Sequence, residues 1–417
     1  MNTARADALL ARSHLAEGNW IARKAESFRH LPPPGAGVWL GDTSTDASQH
    51  CDASPLDGAG WTVHPLGDTA QGQVHARWLD AADPAQRADL FADLPAPQDT
   101  DDAAPFAWAH RALCRQGLRL RIGNSSGADA QAGETVWLQL RHQPHARVEA
   151  PMLVIDLMPG VQCVLVESHE RDSASCRHAL VQNLHVHLRL GANATLRHLR
   201  IVSPGPQDRV AHLVHAQLGR GALYHQALLA SGSDYHLQRS VVDLSQAQDA
   251  RARIAGVLMA SGTTLEQQVR VLHAAPRAIS AVEALALGGD KARIVVNAHT
   301  RIAPGADATE VRQRLIGVPT SGQPKLVLRP QLEIYHDNVQ AAHGATWGAL
   351  PEDVLFYAAQ RGLDERDARA LIVEGMARAS LAACLDTPDL MESLDVEGMI
   401  TRSVAHHLDA ATEVHHG

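Results

Sequence analysis

The chain has 417 residues, which is long for a single domain of about 100–200 residues, so we expect two or three units or one elongated repeat body with attachments. Aromatic residues make up only 4% of the sequence, so the core must be built from Leu, Val, Ala and Ile. The net charge of −9, without any long basic block, argues against a nucleic-acid partner, because neutralising phosphates requires clustered Lys and Arg.

Cysteine usage predicts a reduced, intracellular compartment. The number of cysteines is odd and none forms a CxxC pair, which argues against both a disulfide framework and a local zinc site. The N-terminus lacks the apolar segment of a signal peptide, and no run of 18 apolar residues is present. We therefore expect a cytoplasmic protein without a membrane span. The cysteines are Cys51, Cys114, Cys163, Cys176 and Cys384.

Residues 1–117 are predicted to form a mostly helical or mixed region. A helical pattern fills residues 1–30 until the segment LPPPGAG stops it. Further helices are predicted at 83–97 and at 105–117, the second of them ended by Gly117.

Residues 118–348 show short runs of alternating apolar and polar residues, the pattern of half-buried strands. In LHVHLRL (184–190) the leucines and Val186 share one face, and His185, His187 and Arg189 share the other. RIVVNAHTRI (293–302) behaves similarly, whereas KLVLRPQLEI (325–334) predicts two short strands broken at Pro330.

The architecture of this region is predicted to be mainly β. Many short strands without intervening helices indicate a sandwich, a propeller or a β-solenoid. The repeats differ in length, so no strict period chooses among these. A right-handed parallel β-helix is attractive because alternation sends every second side chain into one continuous core.

Residues 349–417 are predicted to form a C-terminal helical domain. Gly362 ends its first helix, Asp364 caps the second, and a last helix covers 388–410. An apolar stripe on the second helix would pack on the end of a solenoid as a cap. The stripe comprises Ala368, Leu371, Ile372, Gly375, Met376 and Ala379.

A family resemblance is carried by the segment RPQLEIYHDNVQAAHGATWGALPEDVLFYAAQRGLDE (329–365). It resembles the pattern P-x-L-E-I-x-x-D-V-x-C-S-H-G-A-T-x-G-x-L, followed by L-F-Y-x-x-S-R-G-I, of the SufB/SufD family of iron–sulfur cluster assembly proteins. Weaker similarity extends to residues 289–313 and 19–32. The family's Cys-Ser is replaced here by Ala341 and Ala342, and the segment 315–334 has no cysteine, which favours the SufD branch over SufB.

The resemblance implies a right-handed parallel β-helix core flanked by N-terminal and C-terminal helical regions. It also implies pairing with a SufB-like subunit and binding of the SufC ABC-type ATPase through the C-terminal helices. On this basis we expect a non-catalytic scaffold whose iron–sulfur cluster is transient and shared with SufB. ATP would enter only through SufC, since the sequence has no GxxxxGK[ST] motif. In isolation the chain would form a homodimer.

His343, within QAAHGATWG (340–348), is the candidate metal-binding residue. The resemblance implies that it is an iron or cluster ligand at the subunit interface, and imidazole suits iron. The alternative is a buried histidine whose nitrogens bond to backbone, with its small neighbours forming a tight solenoid turn. The candidate partner-binding residues are Leu355, Phe356, Tyr357, Arg361 and Gly362.

Two other functions stay open. One is a carbohydrate-active β-helix enzyme, which would need paired carboxylates. The other is a structural homodimer without cluster chemistry. Among the remaining candidates, His185 and His187 form either a solvated strand face or a ligand pair, and Cys163 and Cys176 are expected in the core. Turn or surface positions are expected for His142, His145, His406, His407, His415 and His416.

Overall fold

The computed structural model of the chain is mainly β and describes ten stretches of the sequence. These are residues 3–18, 20–22, 24–41, 60–66, 73–98, 100–123, 135–144, 146–170, 178–385 and 388–413. None of the helices in these stretches is long and apolar enough to cross a membrane.

The N-terminal part contains four helices and a short 3-10 helix at Glu26–Phe28. The helices are α1 (Thr3–Gly18), α2 (Ala36–Leu40), α3 (Pro84–Leu90) and α4 (Ala104–Leu113). Early strands are β1 (Trp61–Leu66), β2 (Val74–Asp80), β3 (Gln116–Ile122), β4 (Thr135–His142) and β5 (Val148–Glu149).

Long strands then follow one another, and the described residues between them contain no helix. They are β6 (Met152–Leu157), β7 (Gln162–Glu170), β8 (Val181–Leu190), β9 (Thr195–Ser203), β10 (Arg209–Leu218), β11 (Leu223–Ser231), β12 (Tyr235–Leu244), β13 (Arg251–Ser261), β14 (Thr264–His273), β15 (Ile279–Gly289), β16 (Arg293–Ile302), β17 (Thr309–Pro319), β18 (Lys325–Ile334) and β19 (Val339–Trp347). The C-terminal helices are α5 (Glu352–Gln360), α6 (Glu365–Leu385), α7 (Pro388–Ser393) and α8 (Val396–Glu413).

The strands build a parallel β-solenoid with two sheets. From β6 onward successive strands alternate between the sheets, and each pairs in parallel with the strand two places later. The nine-stranded sheet runs from β1 to β19 and the ten-stranded sheet from β2 to β18, and both begin with an antiparallel pair. The sequence left a sandwich, a propeller and a β-solenoid as alternatives. The observed arrangement is the solenoid, which confirms the predicted β-helix.

The turns of the solenoid are more regular than the sequence indicated. Thr195, Leu223, Arg251 and Ile279 stand side by side in successive strands, each 28 residues after the last. The next step, from Ile279 to Glu310, is longer, so the period is lost there.

Side chains that point between the two sheets form the interior core, built mainly of Leu, Val, Ala and Ile as the composition required. All four apolar residues of LHVHLRL lie in this core, which confirms their predicted face. The outer face of the ten-stranded sheet is covered by N-terminal helices through Phe106 of α4. The outer face of the nine-stranded sheet is covered by α6 and α8.

Three predicted helices have wrong boundaries. The N-terminal helix ends at Gly18, and α3 ends at Leu90, followed by a turn at 91–93 and irregular backbone at 94–98. Gly117 does not end α4 but lies in β3, where a β-carbon would come within 2.6 Å of the Leu90 side chain. Its lack of a side chain therefore allows α3 to pack on the sheet. The last predicted helix is divided into α7 and α8.

The strands β1 and β2 lie within residues 1–117 and join the two sheets through β4 and β3. The division of the chain at 117 and 348 stays a prediction.

Candidate functional site at the open end of the solenoid

The last two strands, β18 and β19, form an open end of the solenoid. Each is the terminal strand of its sheet and pairs on one side only within the described residues. The residues of β19 are exposed, apart from the half-buried Val339 and Ala345. An exposed strand edge offers unpaired N–H and C=O groups to another chain.

Pro330 occupies the free edge of β18 and does not break the strand, so the prediction of two short strands was wrong. The N–H groups of Lys325 and Tyr335 donate to Ala292 O and Ile302 O on the side of β16. Because N–H groups alternate in direction along a strand, residue 330 faces the free edge, where a missing N–H costs no ladder hydrogen bond.

His343 lies in the middle of β19, which excludes the predicted alternative of a tight turn. It stands opposite Gln313 of β17. Val339 and Ala345 share its face of the strand and pack against the interior cores. The His343 side chain therefore faces the interior side of the sheet, yet it is exposed, because the described residues form no further turn above it.

Large apolar side chains surround this end. Trp347 is 60% exposed and stands beside Gly317, where a β-carbon would lie 3.2 Å from its ring. Ile334 and Tyr335 follow at the end of β18 and are also exposed, and Arg301 lies over the Tyr335 ring. An interior core that ends in exposed apolar residues is typical of an interaction surface.

The helix α5 presents a second exposed apolar surface. Phe356 is 66% exposed and Tyr357 is also exposed, with the Arg361 guanidinium 4.4 Å above the Tyr357 ring. Leu355 is half-buried and packs on the core beneath the C-terminal helices. Gly362 ends the helical segment with a φ of 85°, as the sequence predicted.

The helix α6 lies along the side of the nine-stranded sheet and does not cap the solenoid's end, so that prediction was wrong. Its buried residues include Val373, Ala377 and Leu381, which pack on β11, β13 and β15. Leu371, assigned to the apolar stripe, is exposed. Asp364 does cap the helix, since its Oδ1 accepts a hydrogen bond from Asp367 N at 2.8 Å.

A charged cluster that the sequence did not reveal lies inside the solenoid. Glu167 accepts hydrogen bonds from Arg200 Nη2 at 2.9 Å, and its oxygens lie 2.6 Å from His169 Nε2 and 2.8 Å from His198 Nε2. All four side chains are buried. Burial alone would raise the pKa of Glu167, but Arg200 and the two imidazoles hold this pKa well below its usual range. The cluster is therefore an ionised carboxylate matched by a guanidinium.

The prediction of a solvated face for His185 and His187 was also wrong. The His185 ring stacks on His110 of α4 at 4.2 Å, and burial lowers the pKa of His187 to about 3. His142 is buried beside Trp61, and His407 is buried with its Nε2 2.8 Å from Thr320 Oγ1, whereas His406 is exposed. The predictions for His145, His415 and His416 lie outside the described residues.

Three cysteines are buried thiols. Burial raises the pKa of Cys114 and of Cys163 to about 12, and Cys384 lies on the buried face of α6 with its Sγ 2.9 Å from Gln226 O. Cys51 and Cys176 fall outside the described residues. Within the part of the chain that the structure describes, no group of three or more His, Cys, Asp or Glu side chains could hold a metal ion.

Comparison with known proteins gives one consistent result. A family model described as "SUF system FeS cluster assembly, SufBD core domain" matches residues 140–376. The chain is 24% identical over 237 residues to the iron–sulfur cluster assembly protein SufD of Escherichia coli, covering 56% of this chain and 54% of that protein. SufBD family proteins of Synechocystis and Mycobacterium tuberculosis are 22% identical over 234 residues and 30% identical over 217 residues. The Synechocystis match covers 54% of this chain and 51% of that protein, and the Mycobacterium tuberculosis match covers 48% of this chain and 52% of that protein. The chain therefore spans about half the length of the curated relatives it matches.

Proposed function

The chain belongs to the SufBD family of iron–sulfur cluster assembly proteins, and from this premise we propose that it is a non-catalytic scaffold on which a cluster is assembled as transient cargo. The observation that carries the proposal is the open end of the solenoid, where His343 faces an interior that no further turn covers. The family match favours this function over a carbohydrate-active enzyme.

A SufB-like subunit is the proposed partner at the open end. The free edges of β18 and β19 offer backbone hydrogen bonds, and Trp347, Tyr335 and Ile334 offer apolar area. Both sheets end together, so a second solenoid that presents two strand edges would extend both. Such pairing would bury the uncovered end of the core.

His343 is the proposed contribution of this chain to the cluster. A cluster iron needs several ligands, which are usually cysteine thiolates, and histidine replaces cysteine in some clusters. Ala341 and Ala342 supply no thiolate beside it. The remaining ligands would therefore come from the SufB-like partner.

A SufC-like ATPase is the proposed partner of the C-terminal helices. Phe356 and Tyr357 are exposed on α5, while Leu355 fixes the helix to the body of the protein. Aromatic residues exposed beside an arginine are typical of binding hot spots. ATP hydrolysis would belong to this partner.

The test is anaerobic co-expression of the full chain with the SufB-like and SufC-like proteins of the same genome. We expect one complex of the three chains that contains iron and acid-labile sulfide. Failure to co-purify with either partner would overturn the proposal. A homodimer that excludes the SufB-like chain and holds no iron would instead support a structural homodimer through the same strand edges.

A further inference from the structure

A cleft of about 450 Å³ lies on the outer face of the ten-stranded sheet. One wall is formed by residues of the stretches 91–98 and 100–111, including the first turns of α4, and the floor crosses β8, β10, β12, β14 and β16. Small-molecule sites are commonly clefts of roughly 300–1,000 Å³ with mixed apolar and polar walls. The size of this cleft therefore fits a small organic ligand.

The floor of the cleft is a single row of side chains in register across five strands. His187 pairs with His215, which pairs with Val241, followed by Arg270 and His299. Neighbouring strands stand about 4.8 Å apart, so these side chains form a continuous line. Three imidazoles and a guanidinium are thus presented together by the sheet itself.

Two buried nitrogens at this floor have no partner. His185 Nε2 and His187 Nδ1 are enclosed and make no hydrogen bond to any described residue. The His185 ring is fixed by stacking on His110, whose Nε2 lies 3.0 Å from Pro151 O. Leaving a buried polar atom unpaired costs about 1–3 kcal/mol, so these nitrogens favour a bound group that can bond to them.

The guanidinium donors of the cleft favour an anion. Asp101 Oδ1 accepts hydrogen bonds from both Arg239 at 2.6 Å and Arg270 at 3.2 Å, so two guanidiniums share one carboxylate. Arg239 is buried, whereas the Arg270 side chain is 41% exposed and has donors to spare. Among the other arginines of the lining, Arg111 is paired with Asp7 and Arg301 lies 4.0 Å from Glu333. Arg270 is therefore the guanidinium that offers free donors to a ligand.

Part of the wall is apolar. Phe91, Leu94 and Pro95 line that part, with the Arg111 guanidinium 4.8 Å from the Phe91 ring centre, and Leu213 and Val241 lie on the floor. Apolar surface next to a row of imidazoles and one guanidinium suits a ligand that has a flat ring at one end and an oxyanion at the other.

We propose that this cleft binds a small organic anion, with its phosphate or carboxylate group against His187, His215 and Arg270 and its ring against Phe91 and Leu94. Phosphate and carboxylate share the chemistry that the row recognises, namely an oxyanion that accepts several hydrogen bonds.

The test is isothermal titration calorimetry of the full chain with two probes, adenosine 5′-monophosphate for a phosphate and citrate for a carboxylate. We expect saturable binding of at least one probe. Adenosine alone should bind much more weakly than the monophosphate, because it lacks the oxyanion. In ¹⁵N-histidine spectra, the ring signals of His187 and His215 should shift on binding.

Two variants locate the site and one serves as control. Arg270→Met should weaken binding roughly tenfold or more, as expected for loss of a charged hydrogen bond. Val241→Phe should reduce binding by filling the floor without changing charge. Arg312→Met removes an exposed arginine of β17, in the other sheet, and should leave binding unchanged. Absence of saturable binding of either probe by about 1 mM, or equal affinity in Arg270→Met, would overturn the proposal.

Discussion

His343 and Gln313 occupy the same position in adjacent strands of the nine-stranded sheet, one exposed and one buried. The Gln313 amide nitrogen donates to Thr300 Oγ1 at 2.9 Å and to Gln331 O at 3.1 Å, so both of its N–H groups are paired inside the solenoid. His343 has the same orientation in β19, the neighbouring strand, but the described residues form no further solenoid turn that would cover it. Its exposure thus results from where the solenoid stops, which makes the open end the natural target of experiments.

Replacing His343 with alanine should lower the iron and acid-labile sulfide content of the co-expressed complex without lowering the stability of the chain. The reason is that the side chain is exposed and contributes no core packing. Iron and sulfide are measured on the purified anaerobic complex, and stability by thermal melting. His406→Ala, at an exposed position of α8, is the matched control. Unchanged iron content in His343→Ala would leave this residue without a role in cluster binding.

Proline at two adjacent positions of β19 should separate pairing with the partner from folding. Gly348 N donates to Gly317 O, so the even-numbered N–H groups of β19 point to β17 and that of Ala341 points to the free edge. Ala341→Pro should therefore weaken co-purification with the SufB-like chain and leave the melting temperature nearly unchanged. Ala342→Pro removes a ladder hydrogen bond and should lower the melting temperature itself. Equal co-purification of Ala341→Pro and the unmodified chain would contradict pairing through this edge.

The strand pattern and the family could be predicted from the sequence because both are local. Alternation in LHVHLRL assigns Leu184 and Val186 to one face whatever lies beyond the strand. Whether the opposite face meets water depends on α4, whose His110 covers His185. That contact joins residues far apart in the chain, and no local pattern contains it.

In the candidate site, too, local features could be predicted from the sequence and long-range contacts could not. The motif around His343 identified the residue, but only the end of the sheet explains its exposure. The Glu167–Arg200 cluster escaped prediction because it joins two residues of β7 to two residues of β9, about 30 positions away in the chain. The predicted buried face of α6 was wrong at Leu371, because the sequence of this helix allows more than one apolar stripe. Packing on the sheet buries the stripe through Val373 and Ala377.

Replacing Phe356 with serine should weaken binding of the SufC-like ATPase and leave folding intact. The ring is exposed, so the folded chain loses little by its removal, whereas a buried aromatic at an interface commonly contributes about 2 kcal/mol or more. A loss of roughly tenfold or more in affinity is expected by surface plasmon resonance. Leu10→Ser, at an exposed position of α1, provides the control. If both variants bind the ATPase as well as the unmodified chain, α5 is not the docking surface.

Replacing Glu167 with glutamine should destabilise the chain strongly. The Arg200 guanidinium would then be buried without a counter-charge, and breaking a buried pair costs about 3–5 kcal/mol. Urea unfolding at neutral pH measures the loss in the free energy of unfolding. Asp249→Asn breaks the exposed pair with Arg277 and should have little effect, because solvent screens that pair. A similar, small effect of both changes would mean that water reaches the Glu167 cluster.

Stability should fall as the pH is lowered from about 6.5 to about 4, before most carboxylates are protonated. Burial lowers the pKa of His110, His236 and His407 to about 4, whereas in the unfolded chain these imidazoles titrate near 6.5. In this window the unfolded state therefore binds more protons than the folded state, so the free energy of unfolding decreases with decreasing pH. Urea unfolding at a series of pH values gives the slope, and His407→Gln should reduce it by up to roughly 1.4 kcal/mol per pH unit, the contribution of one proton. Constant stability between pH 7 and 5 would show that these imidazoles protonate freely in the folded chain.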